Sequence, residues 1–164
     1  MLILTVSEVK GDIMKSLVAY YSRTDITKKL AENIAETLKA DIEEITTTEK
    51  YTGKIGYARA GKHAISEKIV EINEQKHDPA DYDIVYLGTP VWAGKSSNPL
   101  ISYIKNNEGK FREVRFFATA GSSGFDSTSK QLENYAKAPQ KTLAITTKDV
   151  KKETYLDKLE EFLN

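Results

Sequence analysis

Short apolar runs alternate along this chain with longer segments whose apolar residues recur at helical spacing. Nearly continuous apolar runs occupy 16–21, 82–88, 114–119 and 142–146. Such runs are typical of strands that are covered on both faces of a parallel sheet. Residues 42–48, which combine two isoleucines with three threonines, predict a weaker strand with the character of a sheet edge.

Helical spacing marks the segments between these strands. Apolar residues recur every four positions from Ile26 to Leu38, which predicts the first helix. Residues 49–62, with three glycines, and residues 89–99, with two prolines and one glycine, are predicted to be loops. Further helices are predicted at 64–72, 100–105, 131–137 and 151–163.

Five strand–helix units in succession predict an α/β fold, a three-layer doubly wound sheet of five parallel strands. Because crossovers between parallel strands are right-handed, five such units favour the strand order 2-1-3-4-5. Sheets of this kind bind ligands at the carboxyl ends of strands 1, 3 and 4, where the order reverses. Residues 1–13 precede the first core strand and are interpreted as an N-terminal extension or edge strand on a domain of residues 14–164.

The composition narrows the classes of function. Lys plus Arg (24) balance Asp plus Glu (24), so the net charge of zero argues against a broad cationic face for nucleic acid. The absence of cysteine excludes disulfides, thiolate catalysis and cysteine-ligated metal centres. His63 and His77 lie in polar stretches and are interpreted as solvated side chains rather than metal ligands. No apolar run approaches the length of a membrane span, and we expect a cytoplasmic protein, a monomer or weak dimer.

The turn after the first strand offers hydroxyls and backbone N–H groups at the start of a helix. It reads Ser22-Arg23-Thr24-Asp25-Ile26-Thr27. Phosphate binds readily at such a place, because the first N–H groups of a helix have no partners and the helix dipole is positive there. The alternative is that Thr24 or Asp25 merely caps the helix.

The turns after the third and fourth strands are the other two candidates. Thr89 to Gly94 holds the only tryptophan, Trp92, which either stacks on a planar ligand or folds back over the core. Gly121 to Gly124 is followed by Phe125, and its glycines let the backbone approach a ligand closely. Its alternative is an ordinary strand-to-helix turn.

Together these three turns resemble those of the flavodoxin family. Ser22-Arg23-Thr24 with Thr27 resembles its hydroxyl-rich phosphate loop, and Gly88-Thr89-Pro90-Val91-Trp92 with Gly94 resembles its ring-binding loop. Ala120-Gly121-Ser122-Ser123-Gly124 resembles the third loop. The stretch Gly56 to Gly61 also resembles members of the family with a longer loop after strand 2, and the resemblance runs from Lys15 to about Leu163.

The resemblance implies a flavodoxin-like fold, bound FMN, and electron transfer between redox partner proteins or to a small acceptor such as a quinone. Ser22, Thr24 and Thr27 would hold the phosphate, Trp92 would stack on the ring, and Phe125 would cover its other face. The flavin would carry the chemistry, with no catalytic side chain and no metal. The implied FMN-binding residues are Ser22, Arg23, Thr24, Asp25, Ile26, Thr27, Thr89, Pro90, Val91, Trp92, Ala93, Gly94, Ala120, Gly121, Ser122, Ser123, Gly124 and Phe125.

The phosphate loop departs from the family at two positions. The family usually reads Thr-Gly-Asn-Thr where this chain has Thr24-Asp25-Ile26-Thr27. Asp25 replaces a glycine that favours positive φ, which Asp tolerates better than most residues. Its carboxylate would also repel a phosphate, by about 1 kcal/mol at 4 Å in water and about 4 at an effective dielectric of 20. The alternative function is therefore a flavin-free flavodoxin-like scaffold that acts as a protein-interaction module.

Two other motifs are rejected. Gly56 to Lys62 matches the spacing of a nucleotide-binding P-loop, but His63 stands where that loop needs Ser or Thr for magnesium. Phospho-receiver domains share the strand order, but they need acidic residues after strand 1, where this chain has Tyr20-Tyr21-Ser22.

Overall fold

The computed structural model describes residues 8–9 and 12–164, and its main sheet has five parallel strands. The bounds of the strands are β3 Ser16–Tyr20, β4 Asp41–Glu44, β5 Ile84–Trp92, β6 Lys95–Ser96, β7 Glu113–Ala120 and β8 Thr142–Thr146. The spatial order of the five parallel strands is β4-β3-β5-β7-β8, which confirms the predicted order 2-1-3-4-5. The short strand β6 pairs antiparallel with the end of β5.

Helices cover both faces of the sheet, as predicted. The helices on one face are α1 Ile26–Leu38, α5 Thr147–Lys152 and α6 Leu156–Leu163; those on the other are α2 Gly53–Ser66, α3 Asn98–Asn106 and α4 Phe125–Tyr135. Alternate strand residues therefore enter two separate cores, which is why these strands are almost continuously apolar. Among the described residues, no helix is both long enough and apolar enough to cross a membrane.

The start of the chain contains two short strands, β1 (Glu8–Val9) and β2 (Asp12–Ile13), which pair antiparallel with each other. The remaining positions of the predicted N-terminal extension, 1–7 and 10–11, lie outside the described residues.

The segment after β4 differs most from the sequence prediction. Residues 49–62 were expected to form a loop, but a helix, α2, runs from Gly53 to Ser66. Apart from His63, the buried residues of α2 are small, namely Gly56, Ala60 and Ala64. The helix therefore lacks the periodic large apolar residues by which a helix is recognised in a sequence. Gly56 is required there, because a Cβ at this position would lie 2.1 Å from the carbonyl carbon of Tyr51.

The helix predicted at 64–72 is wrong for a related reason. Helix α2 ends at Ser66, and Glu67 follows it in the left-handed conformation, with φ 51°. Ile65 and Ile69, which a helix over 64–72 would place on one side, are 68% and 49% exposed. These isoleucines recur at helical spacing, yet they face solvent and not the core.

The loop predicted at 89–99 is mostly regular structure. Strand β5 continues to Trp92, turns through Ala93 and Gly94, and returns as β6. The positive φ of both turn residues, 51° and 77°, is typical of the two-residue turns that match the twist of a hairpin. Helix α3 then begins at Asn98, two residues before the predicted start.

Three other boundaries differ from the predictions. Strand β4 ends at Glu44 rather than at 48, and helix α4 begins at Phe125 rather than at 131. Only two residues of α4, Thr128 and Leu132, are buried, so this helix leaves little apolar pattern in the sequence. The single helix predicted at 151–163 is two helices, because Glu153, with φ 56°, ends α5.

Two glycines of α2 give a matched test of this packing. Gly56→Ala should lower the free energy of unfolding by about 1–3 kcal/mol, because the backbone of Tyr51 cannot move away from the new methyl group. Gly61 has open space around its Cβ position, so Gly61→Ala should raise the unfolding free energy by about 0.5–1 kcal/mol. Urea unfolding followed by circular dichroism measures both; similar effects of the two substitutions would contradict this account of α2.

Candidate functional site

The three candidate turns lie at one edge of the sheet, since they follow adjacent parallel strands. Tyr20 pairs with Gly88 in the register of β3 and β5, and Pro90 pairs with Thr119 in that of β5 and β7. The strands therefore end at similar heights. The Tyr21 N–H donates to the carbonyl of Gly88 at 3.1 Å and continues this alignment into the first turn.

The first turn, residues 22–27, presents a row of free backbone donors. None of the N–H groups of residues 22–27 donates a hydrogen bond to an acceptor in the described part of the chain. The next N–H, that of Lys28, donates to Ser22 Oγ at 3.2 Å. Unpartnered N–H groups at a helix N-terminus, reinforced by the helix dipole, form an anion-binding concavity.

Asp25 shapes this turn through its backbone. Its φ is 66°, so the left-handed conformation expected at the family's glycine position is adopted here by an aspartate. Its side chain makes no capping hydrogen bond and is exposed, and Thr24 is exposed beside it. The interpretation of Thr24 or Asp25 as a side-chain cap is therefore wrong for this structure.

Thr27 lies beneath the turn rather than on its surface. It is 1% exposed, and its Oγ1 forms a 2.8 Å hydrogen bond with Oγ1 of Thr119, near the end of β7. This bond joins the first turn to the strand that leads into the third. The Thr27 hydroxyl therefore supports the candidate anion site from below, whereas the Thr27 N–H donates no hydrogen bond.

The second turn is held by a cluster of hydroxyls at its base. Thr89 is fully buried, and its Oγ1 accepts the N–H of Ser97 at 2.9 Å and lies 3.2 Å from Ser96 Oγ. These bonds connect β5 with the residues after the hairpin. The hairpin tip itself, Ala93 and Gly94, reaches the surface.

Trp92 lies inside the core, in agreement with the alternative in which it covers the core. It is 7% exposed, and its ring centroid is 4.8 Å from that of Tyr51 and 5.6 Å from that of Tyr21. Edge-on and tilted contacts of this kind are favourable for aromatic pairs. In this position the indole offers little surface to a stacked ligand.

The third turn touches the second directly. A Cβ on Gly124, whose φ is 94°, would lie 2.8 Å from Val91 Cγ1 and 3.2 Å from Gly94 Cα. Ser127 Oγ donates to the carbonyl of Gly94 at 2.6 Å. The absence of a side chain at Gly124 thus allows the two turns to pack together, and Phe125 begins α4 in a half-buried position.

The predicted FMN-binding residues differ in accessibility. Trp92, Thr27, Thr89 and Ala120 are buried; Thr24, Asp25, Ala93, Gly121, Ser122 and Ser123 are exposed; Ser22, Arg23, Ile26, Pro90, Val91, Gly94, Gly124 and Phe125 are intermediate. The fold brings all three turns to one edge. Their binding of FMN stays a prediction.

An aromatic cluster that was not predicted from the sequence lies behind these turns. It consists of Tyr21, Tyr51, His63 and Trp92. Tyr51 is 2% exposed, and its hydroxyl lies 2.8 Å from His63 Nδ1. The interpretation of His63 as a solvated side chain is therefore wrong, since His63 is only 9% exposed. Tyr51 and His63 stand twelve residues apart, and only the helical folding of α2 brings them into contact.

Burial also shifts the ionisation of this cluster. Desolvation lowers the pKa of His63 and disfavours its charged form, and the ammonium of Lys68 adds to the effect. Burial raises the pKa of Tyr21 to about 12, against the opposing influence of Arg23. Both side chains are therefore neutral near pH 7.

A second network fixes the hairpin from outside. Lys95 Nζ lies 2.9 Å from Glu67 Oε2, and the Tyr135 hydroxyl donates to Glu67 Oε1 at 3.0 Å. Hydrogen bonds from Lys95 and then Tyr135 lower the pKa of the Glu67 carboxyl. This network joins the end of α2, the hairpin and α4. Its residues lie far apart in the sequence, so their contact could not be predicted from sequence spacing.

Arg23 connects the first turn with the start of α2. Its Nη1 donates to the carbonyl of Tyr51 at 3.2 Å, and its guanidinium lies 5.3 Å from the ring centroid of Tyr57. Arg23 and Tyr57 line a shallow pocket of about 420 Å³ together with Gly53 and Lys54. Helix α2 thus borders the candidate anion site at this end.

Among residues 14–164, whose side chains the structure describes, no group of three or more metal-ligating side chains occurs. His77 is bound to a carboxylate, with its Nδ1 2.9 Å from Glu43 Oε1, and its side chain is 29% exposed. It is therefore neither fully solvated, as the sequence suggested, nor part of such a group.

The fold and the turns define a doubly wound α/β protein with an anion-binding concavity at the carboxyl edge of its sheet. A family model described as flavodoxin matches residues 15–162, nearly the whole domain. The chain therefore belongs to the flavodoxin family, which confirms the resemblance found in the sequence. A search of the curated proteins found no match.

Solved structures with this fold include flavoproteins. A flavoprotein from Lactobacillus acidophilus, solved in complex with FMN, is 24% identical with a TM-score of 0.66, over 90% of this chain and 99% of its own. A protein from Bacteroides uniformis is 26% identical with a TM-score of 0.72, over 86% and 97%. Oxidised flavodoxin 2 from Bacillus cereus is 17% identical with a TM-score of 0.53, over 90% and 98%.

The depressed pKa of His63 makes stability depend on pH. The unfolded chain binds a proton at His63 near its ordinary pKa of 6.5, whereas the folded protein resists protonation until a lower pH. The free energy of unfolding should therefore fall as the pH decreases from 7 to 5. Urea midpoints measured at both values test this.

His63→Gln should show a smaller fall over that interval, because glutamine does not titrate. His77→Gln is the matched control and should retain the fall seen in the original protein. An equal loss of stability in the original protein and in His63→Gln would contradict the role assigned to His63.

Proposed function

We propose that this protein binds FMN at the carboxyl edge of its sheet and transfers electrons, either between redox partner proteins or to a small acceptor such as a quinone. The observation that carries the proposal is the row of unpartnered N–H groups at residues 22–27. These donors match the phosphate of FMN in charge and in hydrogen bonding. Membership of the flavodoxin family supports the same ligand.

The chemistry of the other two turns also fits a flat ligand. Gly94 and Gly124 have positive φ and leave free backbone where side chains would fill the gap between the turns. Three exposed polar positions, Gly121, Ser122 and Ser123, offer backbone and hydroxyl groups for the polar edge of a ring. Pro90 and Val91, both partly exposed, would provide apolar surface for such a ligand.

FMN, when bound, supplies the one- or two-electron chemistry, and the chain supplies orientation and environment. The turn at 22–27 would bind the phosphate through its N–H groups. The Thr27–Thr119 hydrogen bond holds that turn against β7, and the contact of Gly124 with Gly94 holds the second and third turns together.

A specific observation favours a second candidate, a flavin-free scaffold for protein binding. Asp25 lies in the turn that would hold the phosphate, and its carboxylate has no capping bond to the helix. Repulsion between this carboxylate and a phosphate weakens binding unless a cation such as Arg23 or Lys28 offsets it. The two candidates differ in whether the chain binds FMN at all.

Flavin titration separates the two candidates. Protein fluorescence and flavin fluorescence are followed while FMN is added, and riboflavin is titrated in parallel. If the N–H groups of 22–27 bind the phosphate, FMN should bind at least about tenfold more tightly than riboflavin, since hydrogen bonds to charged groups contribute about 1.5–3 kcal/mol. Equal affinities would remove the phosphate from this turn, and no binding of either flavin would favour the scaffold.

Substitution of Asp25 tests the charge directly. Asp25→Asn keeps a residue that tolerates the left-handed conformation and removes the carboxylate, so FMN should bind at least about fivefold more tightly, in line with a repulsion of about 1 kcal/mol or more. Riboflavin affinity should not change. Asp126→Asn is the matched control, because Asp126 is an exposed aspartate in the first turn of α4 at the same edge.

The Asp126→Asn variant should bind FMN as the original protein does. If Asp25→Asn and Asp126→Asn behave alike, the Asp25 carboxylate lies too far from the phosphate to influence it.

A further inference from the structure

The outer face of α2 carries an unusual combination of charge and exposed apolar surface. The whole chain has no net charge, yet residues 50–68 contain five cations and one carboxylate, a net charge of +4. The remaining residues therefore carry a net charge of −4. The only carboxylate of the segment, Glu67, is bound to Lys95. The cations are Lys50, Lys54, Arg59, Lys62 and Lys68.

None of these five cations forms an ion pair with any residue that the structure describes. Helix α2 itself, from Gly53 to Ser66, contains no acidic residue. The helix therefore carries no carboxylate of its own that would pair with its cations.

Large apolar side chains are exposed in the same place. Six large hydrophobic residues are exposed among the residues whose burial is described, and four of them lie between positions 55 and 69. Ile55 is 77% exposed, Tyr57 and Ile65 are each 68% exposed, and Ile69 is 49% exposed. Single exposed apolar side chains scattered over a surface are common, but a group of them in one place is typical of a protein–protein interface, in which they become buried.

The cations and the apolar residues share one face of the helix. Lys54, Ala58, Lys62 and Ile65 recur at spacings of four, four and three residues, which places them along one side of an α-helix. A helix that lies on a membrane instead separates an apolar face from a charged one. The mixed face of α2 therefore favours a protein surface over a lipid surface.

This face lies close to the candidate flavin site. The N-terminal half of α2 contacts Arg23 of the candidate phosphate loop through Tyr57, and Glu67, which follows the last residue of α2, is bound to Lys95 of the hairpin. The face thus runs beside two of the three turns of the candidate flavin site. A protein docked on it would lie next to that site.

We infer that the outer face of α2, defined by Lys54, Ile55, Ala58, Lys62 and Ile65, docks a partner protein with an acidic surface around an apolar centre. The identification of this partner as a redox protein rests on the proposed function; the docking itself does not. Charge complementarity steers the encounter, and burial of Ile55 and Ile65 retains the partner. The neutral net charge of the chain conceals this local asymmetry.

The test uses the flavin-free chain and two electron-transfer proteins as probes, an acidic plant-type ferredoxin and the basic cytochrome c. Isotope-labelled protein is titrated with each probe, and amide chemical shifts are followed. Shifts should concentrate at residues 53–69 with the ferredoxin and be absent with cytochrome c. Raising the salt from about 10 mM to 0.15 M should weaken ferredoxin binding at least about tenfold, because the Debye length falls to about 8 Å.

Charge reversal identifies the face. Lys54→Glu with Lys62→Glu should weaken ferredoxin binding at least about tenfold. Lys151→Glu with Lys152→Glu is the matched control, since it makes the same charge change at exposed positions on α5, on the opposite side of the sheet. This control should bind as the original protein does. Ile55→Ser with Ile65→Ser should weaken binding without altering its salt dependence.

Four results would overturn the inference. The first is the absence of salt-sensitive ferredoxin binding, and the second is a change of amide chemical shifts mainly outside residues 53–69. The third is an equal loss of ferredoxin affinity in the two charge-reversed variants. The fourth is binding of the protein to phosphatidylserine vesicles and not to the ferredoxin. Because the chain is tested without flavin, a failure of FMN to bind in the separate titration leaves this result unaffected. Ferredoxin binding together with no flavin binding would support docking by a flavin-free scaffold.

Discussion

The parallel pairing of β3 with β5 and β7 is the constraint on which the candidate site depends. Parallel strands with right-handed crossovers all leave the sheet at the same edge, so turns that are distant in sequence meet there. Residues 22–27, 89–94 and 120–125 become neighbours only through this pairing. The Thr27–Thr119 hydrogen bond and the contact between Gly124 and Gly94 then hold the three turns in place.

Left-handed backbone conformations position the functional turns at some conformational cost. Asp25 and Ala93 adopt positive φ where glycine would do so without strain, a cost of roughly 1–2 kcal/mol for most residues. At Asp25 the polar side chain tolerates the conformation, and the helix start gains free N–H donors. At Ala93 the requirement comes from the hairpin, whose twist calls for positive φ at both turn positions. The surrounding sheet supplies the stability that sustains both.

The charges of this protein are distributed unevenly, although they sum to zero. A net charge of zero suggests weak electrostatic steering, but the positive segment at residues 50–68 lies beside the candidate site and the compensating negative charge lies elsewhere. Within the site, Asp25 places a single negative charge against an otherwise electropositive turn. The balance between these local fields, rather than the overall charge, determines which anion or partner this edge of the molecule attracts.

The sequence by itself determined the fold class, the strand order and the three turns, because buried parallel strands need continuous apolar runs and turns need glycine, proline and hydroxyl residues. The family resemblance also implied a set of FMN-binding residues on these turns, and their binding of FMN stays a prediction. Helix α2 could not be predicted, since its buried residues are His63 and three small residues, Gly56, Ala60 and Ala64, and none of them is a large apolar residue. Only the tertiary structure decided that Trp92 joins the core, that His63 meets Tyr51 and that Ile65 faces solvent. Each of these depends on which surface lies opposite a side chain, and that is set by packing between segments far apart in the chain.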